Sequence, residues 1–357
     1  METVFNPKLI DPRSQPIFLG ESLGLQRFDQ LKYPKFFKLA EMQEGFFWRA
    51  NEVDLTKDRS DYKRLTETER FIFDSNLRWQ TMTDSMLSRS ISSIMQYITN
   101  PELEACCMVW AFFESNIHSR SYSHILKSVY PDETEFWNSI ITDQEILSRA
   151  QDIKKAYDDI FGIDEFGTER DVKKAIFNAL VSTNVTEALA FYVSFACSFF
   201  FGAFGRMEGN AKIIKFIERD ERLHAAITTE LLRILRDNPE EGFQDIYDPE
   251  LILEAYRVGL ESEKKWAEYL FSKGNPLGLT LEQFKLFAEF KANERLRLLD
   301  LPPIAPKQKD NPLGSWYAEF INSEKVQVAP QETEITSYKI GARDTTVTDQ
   351  DLDDLDF

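Results

Sequence analysis

The chain has little cysteine: Cys106, Cys107 and Cys197 are all that its 357 residues contain. Three cysteines make no disulfide framework, and two adjacent ones are poorly placed to bond each other, so a reducing compartment is expected. Glycine and proline, 14 of each, are too scarce for a fibrous or low-complexity chain. Basic residues are outnumbered, 42 against 60 acidic ones, for a formal net charge of −18. With no Lys/Arg cluster, that balance excludes a nucleic-acid partner, because neutralising phosphate needs a basic stripe. No N-terminal stretch joins a basic start to an apolar core, and the most apolar segment, Ala188 to Phe204, lacks charges at both flanks. A soluble cytoplasmic protein with no membrane partner is expected.

What is present is apolar and aromatic: 43% hydrophobic residues and 13% aromatics, enough for a large core. Apolar residues recur three and four apart, and alternating β-branched runs are nearly absent before residue 325, which predicts an all-α fold. The pattern places helices over about Glu67 to Tyr97, after Thr66 as N-cap, and from Pro101 past Tyr122 to about Val129. Others are expected from about Asp171 to Phe204, Glu208 to Arg236 and Asp248 to Phe271. Long, closely spaced helices rich in aromatics suggest a bundle that carries its chemistry on facing helices. The chain divides into a helical domain, 1–320, and a tail, 321–357; residues 344–357 hold six Asp and no Lys or Arg, so the tail reads as mobile and acidic.

Histidine is as scarce as cysteine, with three in all, and two follow a glutamate by a short helical step: Glu114-Ser-Asn-Ile-His118 and Glu221-Arg-Leu-His224. Residues three or four apart share a helix face, so each pair can aim two ligands at one point. Bundles that bind two iron or manganese ions use two such pairs and one carboxylate from each of two further helices. Asp84 and Glu187 are the candidates, each an acid among apolar neighbours, which is costly unless a cation compensates it. This oxygen-rich set suits iron or manganese. One Glu/His pair alone is usually a surface pair, and Asp84 or Glu187 alone reads equally as a cap or a solvated acid. Spacing does not separate an oxygen-activating enzyme from an iron-storing bundle.

Tyr122 lies four residues after His118, on the same face and within reach of oxidation at such a site. A core aromatic is the plainer reading. Phe191, Phe195 and Ile217 fall where they can wall it off from water and protect a radical.

Gly24-Leu-Gln-Arg-Phe, Phe46-Phe-Trp-Arg49, His118-Ser-Arg-Ser-Tyr122, Phe191-Tyr-Val-Ser-Phe-Ala-Cys-Ser198, Met207-Glu-Gly-Asn-Ala-Lys-Ile-Ile214 and Val326-Gln-Val-Ala-Pro-Gln-Glu332 together carry a resemblance. The chain resembles, over nearly its whole length, the small, radical-generating subunit of class I ribonucleotide reductase. The resemblance implies a ferritin-like bundle, a homodimer, and a dinuclear metal centre of two irons, two manganese ions or one of each, with O2 as oxidant. It implies one metal on Asp84, Glu114 and His118 and the other on Glu187, Glu221 and His224. It further implies a stable radical on Tyr122, with Trp48 supplying another electron during assembly. The radical would pass through Trp48, hydrogen-bonded by way of Asp220 to His118, and through Tyr338 in the tail to a large subunit that reduces ribonucleotides. Glu332 would assist protons at the subunit interface, and Leu352, Leu355 and Phe357 would anchor the tail on that partner, with the Asp residues steering. The chain has no Gly-rich phosphate loop, so nucleotide binding falls to the partner. Two rivals remain: a bundle whose metal pair oxidises a bound ligand, and a metal-storing bundle in which Tyr122 only packs.

One departure from the family pattern stands out. The first Glu/His pair has three intervening residues, Ser115, Asn116 and Ile117, where the family has two, while both flanks keep the family's spacing. The extra residue can be absorbed as a π-bulge that leaves Glu114 a ligand. A regular helix would instead put Ser115 in the glutamate's place, and a reoriented Glu114 would alter the chemistry. A lesser departure follows Asp84, where Met86-Leu87-Ser88-Arg89 runs into Ser, Ile and Met in place of a Gly- and Pro-containing turn and the connection is one residue shorter.

Overall fold

The computed structural model describes residues 6–22, 24–161, 167–275 and 279–322, and among them the chain is helical throughout, with one isolated β-bridge between Phe18 and Ile98. In chain order the helices are α1 (Pro34–Gly45), α2 (Thr56–Tyr62), α3 (Glu67–Met95), α4 (Pro101–Phe112), α5 (Ser119–Val129), α6 (Thr134–Ile140), α7 (Gln144–Phe161), α8 (Glu169–Val185), α9 (Tyr192–Ala203), α10 (Glu208–Asp237), α11 (Pro249–Leu270), α12 (Leu281–Leu298) and α13 (Ser315–Ile321). The expected all-α bundle is what forms. The tail positions Glu332, Tyr338, Leu352, Leu355 and Phe357 lie outside the described residues.

The long helices start where local chemistry satisfies their first amides. Thr66 accepts from the Glu69 amide while Glu69 accepts from the Thr66 amide, a reciprocal cap that opens α3; Thr168 with Asp171 and Thr280 with Gln283 do the same for α8 and α12. Asn100 caps α4, with Pro101 at its first position. Helix α10 is started from outside. Met207 is left-handed (φ 47°) and offers no side-chain cap, so Asp58 on α2 accepts from the Gly209 and Asn210 amides at 3.0 and 2.6 Å, and Asp61 from the Met207 amide at 3.1 Å. Only glycine fits at 209, since a Cβ would stand 2.6 Å from Leu55 Cδ2 and 2.7 Å from Asp54 O.

Two expected helices are not continuous. The run from Pro101 to Val129 is interrupted by a π-helical turn at Phe113–His118, and the run from Asp171 to Phe204 by another at Thr186–Ala190, after which Phe191 leaves the helix before α9 begins. The first is the wider turn that absorbs the extra residue between Glu114 and His118. Helix α3, by contrast, passes unbroken through the altered segment after Asp84 to Met95. The run Glu169–Ala203 is long and apolar enough to cross a membrane, but 89% of its most apolar window is buried inside the fold. The three cysteines are free and buried.

The core lies among α3, α4, α5, α8, α9 and α10, closed by α1, α7, α11 and α12. Buried polar side chains tie the layers together. Asn184 on α8 donates to Thr228 and Thr229 on α10 and accepts from the Tyr256 hydroxyl on α11 at 2.7 Å.

Candidate metal centre

Four helical segments bring six ligand-type side chains to one point. Asp84 comes from α3, Glu114 and His118 from the first π-helical turn, Glu187 from the second, and Glu221 and His224 from α10, all at most 1% exposed. Their ligand atoms fall into two overlapping groups, Asp84, Glu114, His118 and Glu221, and Glu114, Glu187, Glu221 and His224, each with atoms within 4.8 Å of one another. Sequence reasoning divides the six into two separate sets of three. The structure instead makes Glu114 and Glu221 common to both groups, a sharing that spacing along one helix cannot reveal.

Glu114 faces inward because the helix widens there. Ser115 points outward and returns its hydroxyl to Ala111 O at 2.7 Å, while the Ser119 amide bonds Glu114 O, five residues back, as a π-turn requires, and the Ser119 hydroxyl donates to the same oxygen at 3.0 Å. Of the three arrangements open for the inserted residue, the π-bulge with an inward Glu114 is the one formed.

The histidines turn Nδ1 to the carboxylates. His118 Nδ1 lies 3.2 Å from Glu221 Oε1, 3.4 Å from Glu114 Oε2 and 3.6 Å from Asp84 Oδ2; His224 Nδ1 lies 2.8 Å from Glu221 Oε2 and 3.1 Å from Glu114 Oε1. On its other side His118 Nε2 meets Asp220 Oδ2 at 3.3 Å, and a proton placed there leaves the Nδ1 lone pair for a metal. Burial opposes charge on both imidazoles, yet Glu221 and Glu114 outweigh it and raise both pKa values. Burial, with the charges of Glu114 and Glu221, pushes Asp84 well above the usual carboxylate range; burial and Glu221 do the same to Glu187.

Such crowding is the mark of a missing counter-charge. Asp84 Oδ1, Glu114 Oε2, Glu221 Oε1 and both oxygens of Glu187 receive no hydrogen bond, and His118 Nδ1 and His224 Nε2 make none, although all are buried. Two divalent cations would balance the four carboxylates, and the oxygen-rich donor set with two imidazoles fits a dinuclear centre of hard or borderline metals.

Tyr122, one turn beyond His118 on α5 and 1% exposed, donates its hydroxyl to Asp84 Oδ2 at 2.5 Å. Burial and the Asp84 charge push its phenol well above the ordinary value. Phe191, Phe195 and Ile217 are all 0% exposed; the first two rings stack on each other, 5.3 Å apart, and no ring contact between them and Tyr122 is observed among the described residues. Trp48, also buried, donates Nε1 to Asp220 Oδ2 at 2.8 Å, so Trp48, Asp220 and His118 form one hydrogen-bonded line from the segment after α1 to the cluster. Asp220 is itself buried, 1% exposed. Sequence reasoning missed Trp110, which donates to Glu114 Oε1 at 3.2 Å and stacks on the His224 ring at 4.8 Å; its place four residues before Glu114 was the available signal. It also missed Arg219, whose guanidinium lies over Phe46 and bonds Phe46 O and Asp220 Oδ1 at 2.7 and 3.3 Å.

Comparison with known proteins agrees with this geometry. The sequence model of the family described as Ribonucleotide reductase, small chain, matches residues 26–312. The ribonucleoside-diphosphate reductase subunit beta of Haemophilus influenzae is 40% identical over 380 residues, covering 99% of each chain. The ribonucleoside-diphosphate reductase 1 subunit beta of Escherichia coli O157:H7 is also 40% identical, over 382 residues, covering 99% of this chain and 98% of the relative. Among solved structures, the ribonucleotide reductase R2 subunit from Clostridium botulinum superposes with a TM-score of 0.79 at 24% identity, over 90% of this chain and 98% of the other, and so supports the fold.

Proposed function

This chain belongs to the ribonucleotide reductase small-chain family, and we propose that its six clustered side chains hold a di-iron centre that installs a radical on Tyr122. It is the small subunit of a class I ribonucleoside-diphosphate reductase, an oxidoreductase that works with a large subunit. The observation that carries the radical reading is the Tyr122 hydroxyl bonded to Asp84, itself part of the buried cluster.

Asp84, Glu114 and His118 would hold one metal and Glu187, Glu221 and His224 the other; Glu114 and Glu221 stand in both groups of clustered side chains. When bound, the metal pair supplies the reduction of O2 and a site of one-electron oxidation beside Tyr122. The protein does the rest. Tyr122 gives up an electron, and its phenolic proton has Asp84 Oδ2 as the acceptor at 2.5 Å. A phenol is unionised at neutral pH, so the proton stays in place until the electron leaves. Trp48 gives a further electron during assembly through Asp220 and His118. Burial keeps water from the tyrosine, and Phe191, Phe195 and Ile217, themselves buried, are the residues we assign to the dry wall of the radical.

In turnover the oxidising equivalent leaves Tyr122 by way of Trp48 and Tyr338 for the large subunit, where ribonucleotides are reduced. Residues 1–320 are the radical-generating domain. Residues 321–357 are the docking tail, with Leu352, Leu355 and Phe357 as apolar anchors, acidic residues for steering and Glu332 for protons. A cytoplasmic homodimer fits the apolar Met108 and Phe112 exposed on α4, 50% and 43% accessible. The test is reconstitution with a large subunit: the intact chain supports reduction of ribonucleoside diphosphates, and a chain lacking residues 326–357 keeps its metals and radical but supports none. A truncated chain as active as the intact one would point to a stand-alone oxidase.

A further inference from the structure

The segment that carries Glu187 departs from α-helical geometry, and a departure of this kind strands backbone groups inside the core. Two of them are taken up by side chains from other helices. Ala190 O, at the end of the π-helical turn, accepts from Trp79 Nε1 on α3 at 3.0 Å and from Arg149 Nη2 on α7 at 2.8 Å. The Val193 amide, on the far side of the break, donates to Glu263 Oε2 on α11 at 3.0 Å. Arg149 and Glu263 pair with each other, which closes a ring around the break, and Arg149 Nη1 also bonds Ser262 O at 3.1 Å. The guanidinium lies over both Trp79 and Trp266, 4.2 and 5.0 Å from their centroids. Trp266 in turn donates to Ser194 Oγ at 2.8 Å.

A buried ion pair is poor value for stability alone, since desolvation consumes much of the attraction. Here the Arg149 side chain is 6% exposed and that of Glu263 0%. Both partners spend a hydrogen bond on backbone from opposite sides of one helix break, three residues and six residues after Glu187. Helices α7 and α11 carry none of the six clustered side chains, and Trp79 stands on α3 five residues before Asp84. The ring therefore links the Asp84 helix to the Glu187 segment from outside the centre.

We propose that Arg149, Glu263 and Trp79 are positioning residues that lock the break between α8 and α9 and so fix the register of Glu187 at the metal centre. The inference rests on the reading of Glu187 as a ligand. It adds that the ligand's placement is set by a ring of side chains, none of which belongs to the cluster of six.

The experiment uses the full chain and the variants Arg149→Met, Arg149→Lys and Trp79→Phe, the last removing one of the two donors to Ala190 O. In metal-free protein, amide hydrogen exchange over residues 187–195 is expected to rise about tenfold or more in Arg149→Met and less in Trp79→Phe, the scale of an unpaired buried backbone group. In Mn(II) titrations followed by electron paramagnetic resonance of the free ion, wild type takes two ions per chain. Arg149→Met is expected to bind one of the two at least about tenfold more weakly, comparable to loss of an outer partner of a metal ligand, and Arg149→Lys to recover much of that loss. A folded Arg149→Met protein with a lower Tm but wild-type exchange over 187–195 and two wild-type affinities would overturn the proposal. If wild type itself does not take up two ions, the ligand reading of Glu187 fails, while exchange in the metal-free proteins still decides whether the ring locks the break.

Discussion

Tyr122 and Asp84, 38 residues apart in the chain, share a 2.5 Å hydrogen bond in which the phenol is the donor and the carboxylate belongs to the proposed metal cluster. The same carboxyl group thus faces the proposed metal position and the phenol proposed to carry the radical. Replacing Tyr122 by Phe removes this bond and nothing of the cluster. The expected result is unchanged metal uptake, a stability cost of about 1 kcal/mol, and complete loss of the tyrosyl resonance after O2 exposure, read on the same sample by metal analysis and electron paramagnetic resonance.

Asp220 holds Trp48 and His118 on one carboxylate oxygen. In Asp220→Ala the two nitrogens lose their partner in the interior, at a cost of about 1–3 kcal/mol for each unpaired group. Turnover with the large subunit is expected to fall on the order of 100-fold or more, the scale of losing a positioned proton-handling group, while Tyr122 in the isolated subunit still gives a radical. Parallel turnover and spin measurements check this; loss of both together would place Asp220 in metal binding instead of in transfer.

The inserted residue gives a sharper contrast. Glu114 belongs to both ligand groups, whereas Ser115 faces outward. Glu114→Ala is expected to weaken both metal positions by more than the roughly 10- to 100-fold typical of changes around a ligand. Ser115→Glu in the same chain is expected to restore nothing, since its side chain leaves the helix on the solvent side. Recovery of two metals per chain in the double variant would mean that the helix can run as a regular α-helix with position 115 as ligand.

Asp58 sets a pH dependence away from the metals. Burial pushes its carboxyl up to about 6 from 3.8, against the amides of Asn210 and Gly209 that it caps. With the folded pKa above the unfolded one, the fold binds the proton more tightly, so this group's contribution is fully present below about pH 3.8 and is lost as pH rises through about 6. The stability of wild type relative to Asp58→Asn, in metal-free protein, is therefore expected to fall by about 1–3 kcal/mol between pH 4 and 7. Denaturant titrations at the two pH values measure it; a flat difference would mean that Asp58 titrates normally.

Much of this centre is legible in the sequence, because helical spacing converts directly into a shared face. Two of three histidines each stand one helical step from a glutamate, and α3 opens on Thr66, the cap that the pattern marks. The extra residue before His118 marks a departure from regular helix, with a π-bulge as one of the three arrangements open to it; the fold selects the bulge. The second π-turn, at Thr186–Ala190, is not read from the sequence; the side chains bonded to the backbone at that break, Trp79, Arg149 and Glu263, come from distant parts of the chain. For the same reason the sharing of Glu114 and Glu221 between two groups, and the start of α10 by Asp58, came only with the fold. Each depends on how helices approach one another, which periodicity within a helix does not encode.

The central claim is that six side chains hold a metal pair that oxidises Tyr122. The most direct measurement is to load the metal-free chain with Fe(II) without oxygen, count the iron, admit O2 and record the electron paramagnetic resonance spectrum. The account predicts about two irons per chain, one for each ligand group, and a tyrosyl doublet that is absent from Tyr122→Phe. Fewer than two irons with no radical, in a folded protein, would contradict it.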